Sequence, residues 1–545
     1  MVWLFLLWTA APPDVSPAAD TLVVCPPAFI APLEPWIAHR RRQGHNVQIF
    51  TQATSADSIR AAIRERARHG SLKYVLLAGD AEPADEPRGR APKAFASVPT
   101  GSIPARVNIR WGSESEIATD NWYADLDDDG LPELAIGRLS ADTPDALQTQ
   151  VRKILAYETA LDAGRWQRQI NLVAGLGSFG AVTDGVLEMA TKKFLSDGIP
   201  AAYQTSMTYA SWTSPYCPDP RRFRDTALWR LNEGCLFWIY LGHAHTSYLE
   251  PVRVPGGAFP VLGTRDGAWM NAAAGLPIAL LLTCYAGAFD QAEDCLGESM
   301  VRSVGGPVAA ICGSRVTMPY GMAVLGDALM DEYFVQRRPT LGELLLAAKR
   351  RMGPDEPHNP RRQLLDVIAA SLSPAADQLA EERLEHVALF NLLGDPLLRL
   401  PQPDAIVLQT AETVRGGQAL MVAGRCELAG DGWIELVCRR DRTRTSFAPR
   451  RRFEPTHEFL ESFQDTYRQA NDAVWTAQPF TSNGGEFELR LDVPPECSGP
   501  CHVRAWVATA QDVALGAADV FVYLSSENRQ PIYREAGRAQ ERGAR

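Results

Sequence analysis

Cys235-Leu-Phe-Trp-Ile-Tyr-Leu-Gly-His-Ala-His245 and Ile278-Ala-Leu-Leu-Leu-Thr-Cys-Tyr-Ala-Gly287 are the stretches whose reading decides the fold. Each is a short apolar run that stops abruptly at a reactive side chain, His243 in the first and Cys284 in the second. Runs of this length, closed by Gly and polar residues, suit strands of a parallel sheet covered on both faces, although periodicity alone leaves a buried helix open. Ligands of open α/β sheets sit at the carboxyl ends of the strands. If the two strands are neighbours, a His and a Cys meet there. An imidazole beside a thiol removes its proton and stabilises the thiolate. The small residues Gly242 and Ala244 let the backbone turn beside His243, so the N–H groups at Ala244 and Cys284 are the expected donors to a developing oxyanion.

Working outward, Thr21–Cys25, Asn46–Phe50 and Tyr74–Ala78 read as strands separated by amphipathic helical segments at 32–43 and 56–68, the βαβ alternation of a parallel sheet. Residues 81–119, rich in Pro, Ser, Gly and charge, read as one long loop. Asp125-Leu-Asp127-Asp-Asp129-Gly130 places alternate carboxylates before a glycine, a pattern that wraps a hard cation with oxygen ligands. It is not a full EF-hand, because the twelfth position is Ile136; Glu133, at the ninth, is the nearest substitute. The competing reading is a solvated acidic turn. From about Asp404 helical periodicity fades into short alternating runs such as Trp433–Val437, Glu486–Leu491 and His502–Val507, the pattern of an antiparallel β-sandwich. The expected organisation is an apolar leader over 1–19, an α/β subdomain over 20–165, a second α/β subdomain over 166–401, a β-sandwich over 402–525 and a disordered basic tail over 526–545.

Composition narrows the function class. An apolar fraction of 46% with 22% charged residues is that of an ordinary globular chain, and a net charge of −11 argues against a nucleic-acid partner. The first eleven residues hold about ten apolar side chains, too few to span a bilayer and suited to a signal-peptide core, but without a basic stretch before it. Export to the periplasm, cell surface or medium is expected. In an exported chain, Cys497 with Cys501, and Cys426 with Cys438 flanking an expected hairpin, are disulfide candidates. Cys25, Cys235 and Cys312 sit in apolar runs and read as buried small hydrophobes.

The Gly-His-Ala and Thr-Cys-Tyr-Ala-Gly-Ala-Phe segments resemble the gingipain-type cysteine peptidases of the caspase-like clan. Tyr74–Asp80, Tyr123–Arg138 and Phe390–Pro396 agree with that family in order and spacing, so the resemblance covers roughly residues 20 to 400. It implies a caspase-like α/β fold followed by an immunoglobulin-like domain, a structural calcium, and protein or peptide substrates cut by Cys284 with His243 as base. His245, on the same face in an extended segment, is the alternative base. The resemblance also implies an acid orienting the histidine from the loop Gly175–Gly180, where this chain has none; Glu250 is the substitute, and otherwise the pair works as a dyad. A second departure is Ala244, where the family usually has Gly. Asp184 approximately matches the acid at the pocket floor of the arginine-selective members, and would pair with a substrate Arg or Lys; it equally suits a helix N-cap. Two alternatives to hydrolysis stay open, a silent binding scaffold and an acyl-transferring enzyme using the same dyad.

Overall fold

The computed structural model describes residues 19–52, 55–81, 97–159, 164–176, 197–353, 359–373 and 375–525. Within them the chain divides into two compact units, the first running to Gln402 and including Phe447–Arg468, the second made of Pro403–Ser446 and the residues from Gln469 on. No helix of the described residues is long and apolar enough to cross a membrane. The leader and the basic tail lie outside the described residues.

The first unit is built on strands β1 (Thr21–Val24), β2 (Val47–Phe50), β3 (Tyr74–Ala78), β4 (Gly101–Pro104), β5 (Glu116–Thr119), β6 (Ala135–Leu139), β7 (Gln169–Ala174) and β8 (Gln204–Tyr209). They are followed by β9 (Phe237–Leu241), β10 (Ala244–His245), β11 (Tyr248–Leu249), β12 (Val252–Val254), β13 (Gly257–Phe259), β14 (Ile278–Leu282), β15 (Ala309–Gly313) and β16 (Phe390–Leu393). Ten of these form one sheet in the order β2-β1-β3-β6-β16-β15-β14-β9-β7-β8. β1, β3, β6, β9, β14 and β15 are buried along their whole length or nearly so, which is why they read as continuous apolar runs rather than alternating ones.

Every pairing in this sheet is parallel except β15 with β16. That single antiparallel contact joins two parallel half-sheets edge to edge and reverses their direction. The carboxyl ends of β7, β9, β14 and β15 therefore lie on one rim, and those of β3, β6 and β16 on the other. The two expected α/β subdomains thus share one continuous sheet. The expected long loop at 81–119 contains, among its described residues, the antiparallel ribbon β4–β5.

The helix Leu379–Leu389 carries His386, fully buried on the face turned to the helix Pro319–Phe334. Its Nε2 accepts the Met318 N–H (2.8 Å) and its Nδ1–H donates to the Glu382 carbonyl (2.6 Å), so the neutral ring is fully satisfied. Gly321 permits this seat: a Cβ there would lie 2.4 Å from the ring. Burial pushes the imidazole down to about 4, from an ordinary 6.5. The unfolded chain binds this proton and the folded one does not, so the stability contributed is present above pH 6.5 and is lost as pH falls toward 4. Relative to His386→Gln, the wild type should lose about 3 kcal/mol of unfolding stability between pH 6.5 and 4, read from urea midpoints of the two proteins at both pH values.

The second unit is all β. Its strands β17 (Asp404–Ala405), β18 (Val407–Thr410), β19 (Thr413–Arg415), β20 (Ala419–Cys438), β21 (Val474–Asp492), β22 (Gly499–Ala508) and β23 (Val513–Tyr523) form a seven-stranded sheet. The hairpin expected between Cys426 and Cys438 is absent. Both belong to β20, a single twenty-residue strand, and roughly 40 Å of strand separates them, which excludes that disulfide. Gly430 and Gly432, between the two cysteines, admit close approach of β22: a Cβ on Gly432 would lie 2.1 Å from the Trp506 carbonyl oxygen. The Cys497 and Cys501 sulfurs are 3.9 Å apart as thiols.

The sequence reading also passed over the helix His457–Asn471, whose Leu460, Phe463 and Tyr467 lie on one face. Although it falls between β20 and β21, its residues up to Arg468 belong to the first unit. Leu460 and Phe463 join the apolar cluster that includes Trp238, Tyr240 and Leu249, and the Tyr467 hydroxyl is 2.8 Å from Thr208 Oγ1 on β8.

Candidate active site

β9 and β14 are adjacent, parallel and in register, with Leu241 opposite Leu282. His243 and Cys284 each follow two residues after that pair, so the backbone brings them to the same level on one rim of the sheet. Glycine makes the turn after β9 practicable. A Cβ on Gly242 would lie 2.8 Å from the Tyr240 hydroxyl and 2.9 Å from Gly175 Cα. The Gly175 N–H in turn donates to the Leu241 carbonyl (2.8 Å). His243 is held through its own carbonyl, which accepts the Tyr240 hydroxyl (2.7 Å) and the Glu250 N–H (2.9 Å). Burial, with the nearby Glu250 and Cys284 charges adding to it, pushes the Tyr240 phenol well above its ordinary range, so it stays a neutral donor.

Cys284 sits in a strained turn. The Ala286 N–H donates back to the Cys284 carbonyl (2.6 Å), a three-residue turn centred on Tyr285, which has a left-handed φ of +53°. A non-glycine residue there costs of order 1 kcal/mol or more and persists only where the surroundings impose it. They do so from both sides. The Tyr285 N–H donates to the Arg315 carbonyl (3.1 Å) and the Tyr285 hydroxyl to Glu114 (3.0 Å). Arg315 pairs bidentately with Asp290 (2.8 and 2.6 Å) and lies 3.6 Å from Glu114. Two positions further on, a Cβ on Gly287 would lie 2.6 Å from Cys312 Sγ.

The consequence is a half-buried cysteine whose sulfur accepts the Thr317 N–H (3.3 Å) and lies 3.6 Å from both the carbonyl and the hydroxyl oxygen of Thr317. Among the described residues no acceptor meets the Cys284 N–H. Its position contrasts with those of the buried cysteines: burial pushes Cys25 and Cys217 up to about 12 and Cys235 and Cys312 higher still, the behaviour of inert core thiols. Thr317 and Glu114 escaped the sequence reading as parts of this site, because they come from elements far from the apolar runs.

Ala244 is buried in the ribbon β10–β11, opposite Leu249, whereas His245 points to solvent. The Glu250 carboxylate pairs with Arg253 (2.8 Å), and its Oε2 has no hydrogen-bond partner among the described residues. Asp184 and the Gly177–Gly180 part of the preceding loop lie outside the described residues.

In the acidic loop, carboxylate oxygens of Asp125, Asp127 and Glu133 lie within 4.8 Å of one another. Asp129 stays outside this group, its Oδ1 accepting the Leu131 N–H (2.7 Å). The loop is shaped from within: Asp125 accepts the N–H groups of Asp128 and Gly130, Glu133 accepts that of Leu126, and Asp128 takes a left-handed φ of +67°. Three convergent hard oxygen donors fit a divalent cation of the calcium type.

Comparison with known proteins agrees with this architecture. The model of Peptidase family C25 matches residues 14–401. Lys-gingipain of Porphyromonas gingivalis is 24% identical over 290 residues, which cover 52% of this chain and 15% of that protein. The chain thus spans only a small part of this curated relative. Among solved structures, the Arg-specific cysteine proteinase gingipain R aligns over 93% of this chain and 98% of its own, with a TM-score of 0.50 at 15% identity. A complex of the pro- and mature domains of a Porphyromonas gingivalis gingipain aligns over 92% and 100%, with a TM-score of 0.50 at 14% identity. These likenesses concern the fold, while the family match extends over most of the sequence. The chain belongs to peptidase family C25, the gingipain-type cysteine peptidases.

Proposed function

We propose that the protein is an exported cysteine endopeptidase working through a Cys284–His243 dyad. The observation that supports it best is the register of β9 and β14, which brings the two residues level on one rim. In this reading His243 takes the thiol proton as Cys284 Sγ attacks the scissile carbonyl. The Cys284 N–H, with that of Ala244, donates to the oxyanion; His243 then passes its proton to the leaving amine as the acyl-enzyme forms. Water activated by the same histidine releases the second product. We assign cleavage after Arg or Lys to Asp184, in keeping with the names of the relatives. A fluorogenic peptide panel varied at the residue before the scissile bond tests this. Cleavage after Arg or Lys that Asp184→Asn removes is expected, and cleavage after other residues would reject the pocket while keeping the dyad.

We further propose that Asp125, Asp127 and Glu133 hold calcium, which would tie the loop's negative ends together as a structural ion. At a hundred times its Kd, calcium should add about 2.7 kcal/mol to unfolding stability. The shift in melting temperature should vanish in Asp127→Ala. A shift that survives this substitution would place the ion elsewhere.

A further inference from the structure

Beyond the dyad, the ribbon β10–β11 carries a feature that the proposed chemistry does not use. His245 and Tyr248 are directly opposed in register, and their rings stack with centroids 4.6 Å apart and planes inclined by 29°. Both are exposed, Tyr248 by 43%, while their neighbours Ala244 and Leu249 are buried on the opposite face. A stacked pair of rings left in water, on a ribbon only two residues long, would ordinarily be mobile. Here the backbone beneath it is fastened on three sides. The Thr246 carbonyl accepts the Leu296 N–H (2.7 Å), the Ser247 carbonyl accepts that of Thr264 (2.9 Å), and the Leu249 N–H donates to Leu262 (2.8 Å). Leu296 opens the helix whose Gly297 N–H is bonded to the Ala286 carbonyl, two residues from Cys284, so the ribbon is tied to the nucleophile's own turn.

Alternation along an extended segment puts His243 and His245 on one face, about 7 Å apart. The base of an acyl transfer stands on the side of the leaving amine, to which it returns the proton. An extended substrate advances about 3.3 Å per residue, so rings standing about 7 Å beyond the base match the spacing of the first and second residues after the scissile bond. From this placement we infer that the His245–Tyr248 pair is a subsite on the leaving-group side, selecting an aromatic side chain at one of those two positions. The inference rests on the peptidase reading above.

The test uses internally quenched peptides with a constant residue before the scissile bond and Phe, Leu, Lys or Gly at the first or second position after it. An aminomethylcoumarin substrate, which has no residue beyond the scissile bond, normalises each preparation for working dyad. We expect wild-type kcat/KM to favour Phe over Gly by about two- to ten-fold at one position. Tyr248→Ala should bring that ratio to near one, and Tyr248→Phe should keep it. An unchanged ratio in Tyr248→Ala, or a preference for Lys over Phe, would overturn the subsite while leaving the peptidase standing. A folded wild-type protein that cleaves neither the peptides nor the coumarin substrate would overturn the peptidase reading and the subsite with it.

Discussion

Replacing Cys284 by alanine is expected to lower kcat/KM for peptide hydrolysis by about 10,000-fold or more. The substitution removes the attacking atom while the turn that carries it stays anchored through the Tyr285 N–H on Arg315 and the Gly287 N–H on Gly313. His243→Ala should cost a similar factor, and the double variant little more than either, because nucleophile and base act as one unit and their losses do not add. Urea midpoints of the two single variants, measured alongside, separate loss of chemistry from loss of folding. Steady-state rates of the two single variants and the double variant on one fluorogenic substrate decide the matter. Undiminished hydrolysis by Cys284→Ala would reject the dyad. Silence of a folded, calcium-loaded wild type under reducing conditions would favour a binding scaffold. A product carrying the acyl fragment on an added amine, read by mass, would identify acyl transfer.

The second large effect is on stability. Asp395→Ala should reduce unfolding free energy by about 3–5 kcal/mol, seen as a fall in the urea midpoint. Asp395 follows β16 and is fully buried, as is Arg40, whose guanidinium donates to it at 2.5 Å and to Glu158 at 2.8 Å. The Trp36 indole N–H also donates to Asp395 (2.5 Å), and the other carboxylate oxygen accepts the Leu397 N–H (2.8 Å). Deleting the carboxylate leaves a buried cation with one remaining carboxylate partner and an indole N–H without an acceptor. Asp395→Asn, which retains an acceptor for Trp36, should cost less. The network lies on the rim opposite Cys284, so activity per folded molecule should persist. A midpoint unchanged in Asp395→Ala would show that water replaces the carboxylate without cost.

The Gly-Asp-Pro segment around Asp395 was legible as a motif but not as an ion-pair centre. Its partners Trp36 and Arg40 lie 359 and 355 positions away in the chain, and Glu158 reaches the centre only by sharing Arg40. The same distance rule divides the candidate site. His243 and Cys284 could be read because each ends a buried strand, and a buried parallel strand must be a continuous apolar run. Thr317 and Glu114 could not, because they reach the sulfur and Tyr285 only once the chain has folded. The acidic loop shows a finer version. Alternating carboxylates mark the loop as a candidate for a cation, but Asp128 takes a left-handed φ and the carboxylates that converge are those of Asp125, Asp127 and Glu133, without Asp129.

By itself the sequence determined which segments are buried strands, where the α/β and all-β parts of the chain change over, and which two side chains terminate the central strands. Those are properties of local pattern: hydrophobic runs and glycine punctuation act over a few residues. Only the tertiary structure decided that one antiparallel contact between β15 and β16 fuses two half-sheets, and that β20 runs straight through two glycines. It alone also brought the Thr317 N–H onto Cys284. Each depends on backbone hydrogen bonds and close contacts between residues distant in the chain, and these acquire a definite geometry only when the sheet has formed.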